Sequence, residues 1–216
     1  MALAFGATKG SAIKSKVDAF EYKDGENTVR IFGGVLPRYV YWIKGSNNKD
    51  IPVECLSFDR GLEKFTNIEV DWVKKLIPDT KPCSWAYSIN CIDPKDGKVK
   101  VLNLKKKLFE QILNAAEDLG NPTDPDTGWD IVFKRVKTGA LPFNVEYTLS
   151  VLRCKVRALT SEERALVVLG ETPPNDIDSK YPRPTAEEVK ANLEKILSGA
   201  EDTGTEDKEA INELNG

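Results

Sequence analysis

The sequence contains no histidine, which removes the usual general base, the central member of a catalytic triad and the commonest metal ligand. Its four cysteines, Cys55, Cys83, Cys91 and Cys154, stand at irregular spacings with no Cys-x-x-Cys pair, a pattern that argues against the usual zinc motifs. They read as reduced, mostly buried thiols; a four-cysteine zinc site stays formally open, but no cofactor is expected. There is no Gly-rich phosphate loop, nucleophile elbow or tight carboxylate cluster, so the chain is not expected to be an enzyme. No apolar run approaches the ~18 residues needed to span a bilayer. The start Met1-Ala-Leu-Ala-Phe-Gly6 lacks a charged leader followed by a long apolar segment, so neither membrane nor export is expected.

What is present describes a globular chain: 216 residues, 40% apolar and 30% charged, enough for one compact domain with tails and no internal repeat. The net charge of −3 is unevenly spread. Residues 1–17 carry Lys9, Lys14 and Lys16 and no acid, whereas residues 199–216 carry six acids against Lys208 alone. Removing that tail of −5 from the whole leaves the remainder at +2. Residues 1–26 read as a basic N-terminal arm, 27–170 as the main domain, 171–198 as a linker and C-terminal helix, and 199–216 as an acidic tail.

The most informative run is residues 83–137. Ser84 to Ile92 alternates with period two, Asp93-Pro94-Lys95-Asp96-Gly97 predicts a tight turn, and Lys98 to Leu104 predicts the returning strand. That pattern puts Val99 and Val101 inward and Lys98 and Lys100 outward. From Lys105 the period turns helical, with Leu108, Ile112, Ala115, Ala116 and Leu119 on the inner side and Gly120 as the stop. Gly120 to Gly128 is a turn cluster, and Trp129 to Lys137 predicts another strand. Upstream, Thr28 to Phe32 and Arg38 to Lys44 predict strands separated by a turn or bulge at Gly33-Gly34, and Ile51 to Phe58 predicts a partner for the second. A short helix is expected near Asp71 to Leu76. Downstream, Asn144 to Arg157 predicts one long strand with Arg153, Lys155 and Arg157 on a single face. Thr160 to Glu163 and Thr185 to Glu188 are capping boxes that predict two further helices, the second carrying Val189, Leu193, Ile196 and Leu197 on one stripe. The expected fold is mainly β with added helices, a five- or six-stranded antiparallel barrel.

The order of Ser84-Trp85-Ala86, Asp93-Pro94, Gly97-Lys98-Val99, Lys106-Lys107-Leu108-Phe109 and Gly120 through Ile131 resembles the core of the helix-destabilising, single-stranded DNA-binding proteins of T-even and related bacteriophages. The resemblance spans roughly residues 27–163. It implies an OB-type barrel that coats unpaired DNA during phage replication, recombination and repair, in the cytoplasm of the infected bacterial host. It also implies an N-terminal arm that drives self-association along the strand, and an acidic tail that recruits replication and recombination proteins. T-even relatives hold zinc with cysteine and histidine, and the lack of histidine departs from that pattern.

Single-strand binding needs aromatic planes for stacking and cations that follow the phosphates. The candidate aromatics are Phe32, Tyr39, Tyr41, Trp42, Trp85, Tyr87 and Tyr147. The candidate cations are Arg30, Arg38, Lys44, Lys98, Lys100, Lys105, Lys106, Lys134, Arg135, Lys137, Arg153, Lys155 and Arg157. Trp85 can be read two ways, as a core residue with Tyr87, Ile89 and Cys91 or as a DNA-facing residue where the strand leaves the barrel. Trp72 and Trp129 are assigned to the core. RNA is a second ligand that such a groove would admit. The competing reading is a phage structural or interaction protein that uses the barrel as a scaffold.

Overall fold

The computed structural model describes residues 18–45, 50–139, 144–167 and 176–199. Most of the basic arm, the segment 168–175 and the acidic tail from residue 200 lie outside the described residues. The elements in order are β1 (Gly25–Lys44), β2 (Asp50–Glu54), β3 (Phe58–Asp59), β4 (Lys64–Phe65), α1 (Trp72–Leu76), β5 (Ser84–Asp93), β6 (Lys98–Leu104), α2 (Lys106–Leu119), β7 (Trp129–Lys137), β8 (Val145–Leu149), β9 (Lys155–Val156), α3 (Ser161–Leu166), α4 (Ile177–Lys180) and α5 (Ala186–Leu197).

The main sheet is antiparallel in the order β6-β5-β1-β7-β8, with β2 added to β1 and β9 to β7. A three-strand meander, a helix and a two-strand hairpin, with the first strand shared by both halves, make an open barrel-like sheet of OB type. Sharing depends on β1, which is one strand where the sequence suggested two. The Gly33-Gly34 site is a bulge that shifts the register between Phe32 and Val35, with Gly33 at φ +74°. The strand therefore bends without ending, pairing Gly25 to Val29 with β7, Arg30 to Val40 with β5, and Val40 to Lys44 with β2.

Alternating side chains fill the barrel: Val29 and Ile31 from β1, Ile89 and Cys91 from β5, Leu102 and Leu104 from β6, Trp129, Ile131 and Phe133 from β7. The α2 stripe of Leu108, Ile112 and Ala115 closes this core, and Gly120 ends the helix at φ +81° as its position predicted. Among the described residues β6 and β8 do not pair. Gln111 of α2 occupies that seam, donating from Nε2 to Tyr147 O (3.2 Å) and accepting from Leu149 N (2.8 Å), as a neighbouring strand would.

A second apolar cluster joins Tyr41 and Ile43 of β1 to Val53, Cys55, Leu56, Val73 of α1, and Val189, Leu193 and Ile196 of α5. Both predicted capping boxes form, around Thr160 and Thr185. The expected long strand 144–157 does not. Ser150 N bonds Val132 O (2.7 Å), a 3-10 turn follows over Val151–Arg153, and the chain rejoins the sheet as β9 against Trp129 and Asp130. Its three cations are accordingly split.

The outer face of the sheet is covered as well. Phe32 and Ile92 pack under Leu159 and Val167, and Leu36 and Val101 pack under Ile177 of α4. This corrects the expectation for β6: Leu102 and Leu104 face the barrel core, while Val101 lies beneath α4. Lys100 is not outward but ion-paired at 2.8 Å to Asp93 and 2.9 Å to Asp96.

Candidate nucleic-acid interface

The sheet's inner face continues past the barrel core where β1 and β5 run on toward β2. There Tyr39 and Trp85 are directly paired, and Pro37 pairs with Tyr87. Alternation places Trp85 and Tyr87 on one face, and their rings stack at 3.4 Å and 11°. Trp85 meets Tyr39 edge-on at 6.1 Å and Phe109 of α2 at 6.0 Å. From the β3–β4 hairpin, Phe58 lies 4.7 Å and Phe65 4.9 Å from Tyr39. The result is a ledge of six rings, of which Tyr39, Trp85 and Phe109 are half-buried and Phe65 is 49% exposed.

Glu63 and Asn67 bracket Phe65 and hold positive φ values of 47° and 53°. Such angles are uncommon for non-glycine residues and fold the short hairpin back over the ledge. Tyr87, 4% exposed, donates its hydroxyl to Glu63 Oε1 (3.2 Å). Burial, and then the negative charge of Glu63, push the Tyr87 phenol above its ordinary pKa. Burial raises Tyr39 as well, so both phenols stay neutral and act as rings.

Cations reach the ledge from α2. Leu104 pairs with Tyr87, so the chain leaves β6 beside the ledge and Lys105, Lys106 and Lys107 open the helix there. Lys106 Nζ stands 6.0 Å from the Trp85 ring centroid, at the outer reach of a cation–π contact, and is shared with Glu110 at 3.8 Å. The α2 start has no side-chain cap and no acid in its first turn, so that end of the helix favours anions. Lys64 is exposed on β4 beside Phe65.

Of the residues singled out from sequence, the fold thus gathers Tyr39, Trp85, Tyr87, Lys105 and Lys106. It disperses the others. Arg30 is 2% exposed beneath the 120–128 turn, where Nη2 donates to Asp124 O (2.7 Å). Phe32 is buried under Leu159 and Val167. Arg38 is buried with its guanidinium 3.9 Å over the Tyr181 ring. Tyr41 is buried and donates to Asp71 Oδ2 (2.7 Å), and Tyr147 is buried against Tyr22 and Phe133. The 120–128 turn covers Arg30, the residues flanking α3 cover Phe32, and Tyr181 at the end of α4 covers Arg38, while Tyr41 lies in the second apolar cluster; a buried ring or guanidinium offers no face to a strand in solution. Trp42 is half-buried and donates to Ser84 Oγ (3.0 Å).

Many of the strand cations meet carboxylates. Lys44 pairs with Asp50 at 2.8 Å, Arg135 and Lys137 share Asp24, Arg153 pairs with Glu26, and Arg157 grips Glu163 with two nitrogens and Asp130 with a third. Lys98, Lys134 and Lys155 are exposed. The single furrow of cations expected from the sequence is therefore not what the fold builds. Sequence reading missed Phe58, Phe65, Lys64 and Phe109. For Phe109 the signal was an aromatic beside the apolar stripe of an otherwise polar helix; two-residue strands leave no periodicity to betray the others.

No family model matches the chain, and no solved structure matches it. A protein of Escherichia phage T5 named "Probable ssDNA-binding protein" is 27% identical, over 93% of this chain and 89% of its own length. The likeness to phage single-stranded DNA-binding proteins read from residues 27–163 thus extends, in this relative, to nearly the whole chain, without singling out the T-even type.

Proposed function

We propose that this protein binds single-stranded DNA without sequence preference and coats it during phage replication, recombination and repair, in the cytoplasm of the infected host. The observation that carries the reading is the half-buried ledge around Tyr39 and Trp85 with Lys106 beside it. OB folds take oligonucleotides on their second and third barrel strands and on the loop between the first and second. Here those places are β5, β6 and the segment carrying Phe58 and Phe65. The T5 relative's name points the same way.

Bases stack on Phe65, Trp85, Tyr39 and Phe109, because every base has a π-face. Lys64, Lys105, Lys106 and Lys107 neutralise the phosphates, which are the same at every nucleotide. Ordering of the strand needs no chemistry, and the protein acts as a binder and not as an enzyme. The acidic tail competes with DNA for the cations and recruits replication and recombination proteins, the basic arm contacts the next protomer, and RNA is a second ligand that the ledge admits, since stacking discriminates sugars poorly.

Titration with oligo-dT of increasing length at two salt concentrations, followed by tryptophan fluorescence, tests this. Quenching that weakens steeply with salt is expected, because Trp85 lies on the ledge. Absence of any fluorescence change at low salt overturns the reading in favour of a scaffold. Deleting residues 199–216 is expected to tighten binding.

A further inference from the structure

The β3–β4 hairpin, which brings Phe58 and Phe65 to the ledge, is too small to hold itself in place. Its ladder pairs Phe58 with Phe65 and Asp59 with Lys64, and Ser57 O accepts from Thr66 N (2.8 Å) and Asn67 N (3.3 Å). A lone hairpin of that size is at best marginal in water, so its placement needs an anchor from outside.

The anchor comes from the segment between α4 and α5, Tyr181-Pro182-Arg183-Pro184-Thr185. Arg183 donates from Nη1 to Phe58 O (3.0 Å) and from Nη2 to Leu56 O (2.9 Å), and Nη2 also reaches Glu69 Oε1 (3.2 Å). Leu56 and Phe58 lie on the side entering the hairpin and Glu69 on the side leaving it, so one planar guanidinium spans both legs. In the other direction Arg60, in the turn between β3 and β4, donates from Nη1 to Tyr181 O (2.9 Å) and grips both carboxylate oxygens of Glu54 (2.8 and 2.6 Å). Glu54 also lies 3.6 Å from Arg183 Nη1, so an enclosed carboxylate on β2 faces two guanidinium groups.

Arg183 itself arrives in a fixed position. Tyr181 and Arg183 each precede a proline, which keeps them out of helical conformation. Tyr181 lies under the Arg38 guanidinium (3.9 Å), and Thr185 caps α5, whose Val189, Leu193 and Ile196 are packed in the second apolar cluster. Both ends of the segment are thereby tied to the scaffold.

We propose that Arg183 is a positioning residue for single-strand binding: it touches no nucleotide, and it sets the β3–β4 hairpin so that Phe65 stands beside Tyr39 for a base to stack on. Its charge is met by Glu54 and Glu69 and does not answer to phosphates. Without Arg183 the hairpin keeps the Glu63–Tyr87 hydrogen bond and the ring contacts of Phe65, and the cost of ordering it falls on DNA binding. Resting on the proposed function, Arg183→Ala binds oligo-dT about fivefold more weakly, the low end of what one stacked base contributes.

Amide exchange and fluorescence titration of full-length Arg183→Ala test this. The Thr66 and Asn67 amides, which bond Ser57 O between the two carbonyls that Arg183 holds, should exchange faster, while the Leu149 amide in the barrel stays unchanged. Affinity for oligo-dT should fall with the salt slope unchanged, and in a Phe65→Ala background the further loss should shrink to about twofold or less. A loss as large beside Phe65→Ala as in the wild type, a slope flattened by about 0.7 as for a phosphate contact, or unchanged exchange at Thr66 and Asn67 overturns the positioning role. Arg183→Lys keeps the charge but cannot span both carbonyls and Glu69 in one plane; it should show the same faster exchange and non-additive loss should Arg183→Ala fail to fold. Failure of the wild type to bind oligo-dT overturns the binding reading and the role with it, whereas wild-type binding with unchanged exchange in the variants overturns the role alone.

Discussion

Truncating Phe65 to alanine separates ligand binding from stability. The ring is 49% exposed and touches Tyr39 at 4.9 Å and Phe58 at 5.3 Å. Full burial of a phenylalanine is worth about 1.5–3 kcal/mol, so losing a half-buried ring costs folding about 1 kcal/mol. A stacked base contributes about 1–3 kcal/mol, which makes the loss in affinity for oligo-dT about 5- to 150-fold. Because no cation is removed, the slope of log affinity against log salt stays as in the wild type. Lys106→Ala should do the reverse, reducing that slope by about 0.7 for each phosphate that is no longer neutralised. Fluorescence titrations at four or more salt concentrations give affinity and slope together, with urea unfolding as the stability control. If Phe65→Ala binds like the wild type while Lys106→Ala flattens the slope, the strand lies on the lysines alone and no base stacks on the ledge.

Three further perturbations test the scaffold that positions the ledge. Gln111→Ala removes both hydrogen bonds at the β8 edge and leaves the Leu149 N–H without its acceptor, costing about 1–3 kcal/mol; amide exchange at Leu149 should accelerate selectively. A Cβ at Gly128 falls 2.7 Å from both Arg30 Nη2 and Pro122 O, so Gly128→Ala must displace the turn over Arg30 and lower the melting temperature, at a cost of about 1–3 kcal/mol. The hydrogen bonds from Arg157 hold the Glu163 carboxyl below its ordinary pKa. Stability from that pair is complete above the unfolded glutamate value of about 4.3 and is lost as pH falls through the lower folded value. Melting curves across that range should show it, and Glu163→Gln should flatten the pH dependence.

Local signals wrote much of the barrel plainly. The Asp96-Gly97 turn, the α2 stripe ending at Gly120 and the capping boxes at Thr160 and Thr185 depend on residues a few positions apart, and each formed where expected. The candidate site was less legible because its determinants are distant in sequence. Arg30 and Phe32 alternate with Val29 and Ile31 like an outward face, and only the packing of Leu159 and Val167 makes that face interior. Arg135 looks free until the chain brings Asp24 to it, and Arg153 until Glu26 arrives, over separations that no periodicity encodes. Trp85 kept both of its readings in part: it packs against the core cluster and still shows a half-buried ring at the strand end.

Two apolar clusters strung along one β-strand also dictate how the molecule comes apart. The cluster of Tyr41, Val73 and Leu193 holds α1 and α5, and the barrel interior is sealed separately by α2. Warming should therefore release the α1–α5 end first, giving a calorimetric trace with an early shoulder, while Trp129 remains packed until the main transition. The shoulder should vanish when Leu193→Asp dismantles the outlying cluster in advance, leaving a protein whose barrel melts alone.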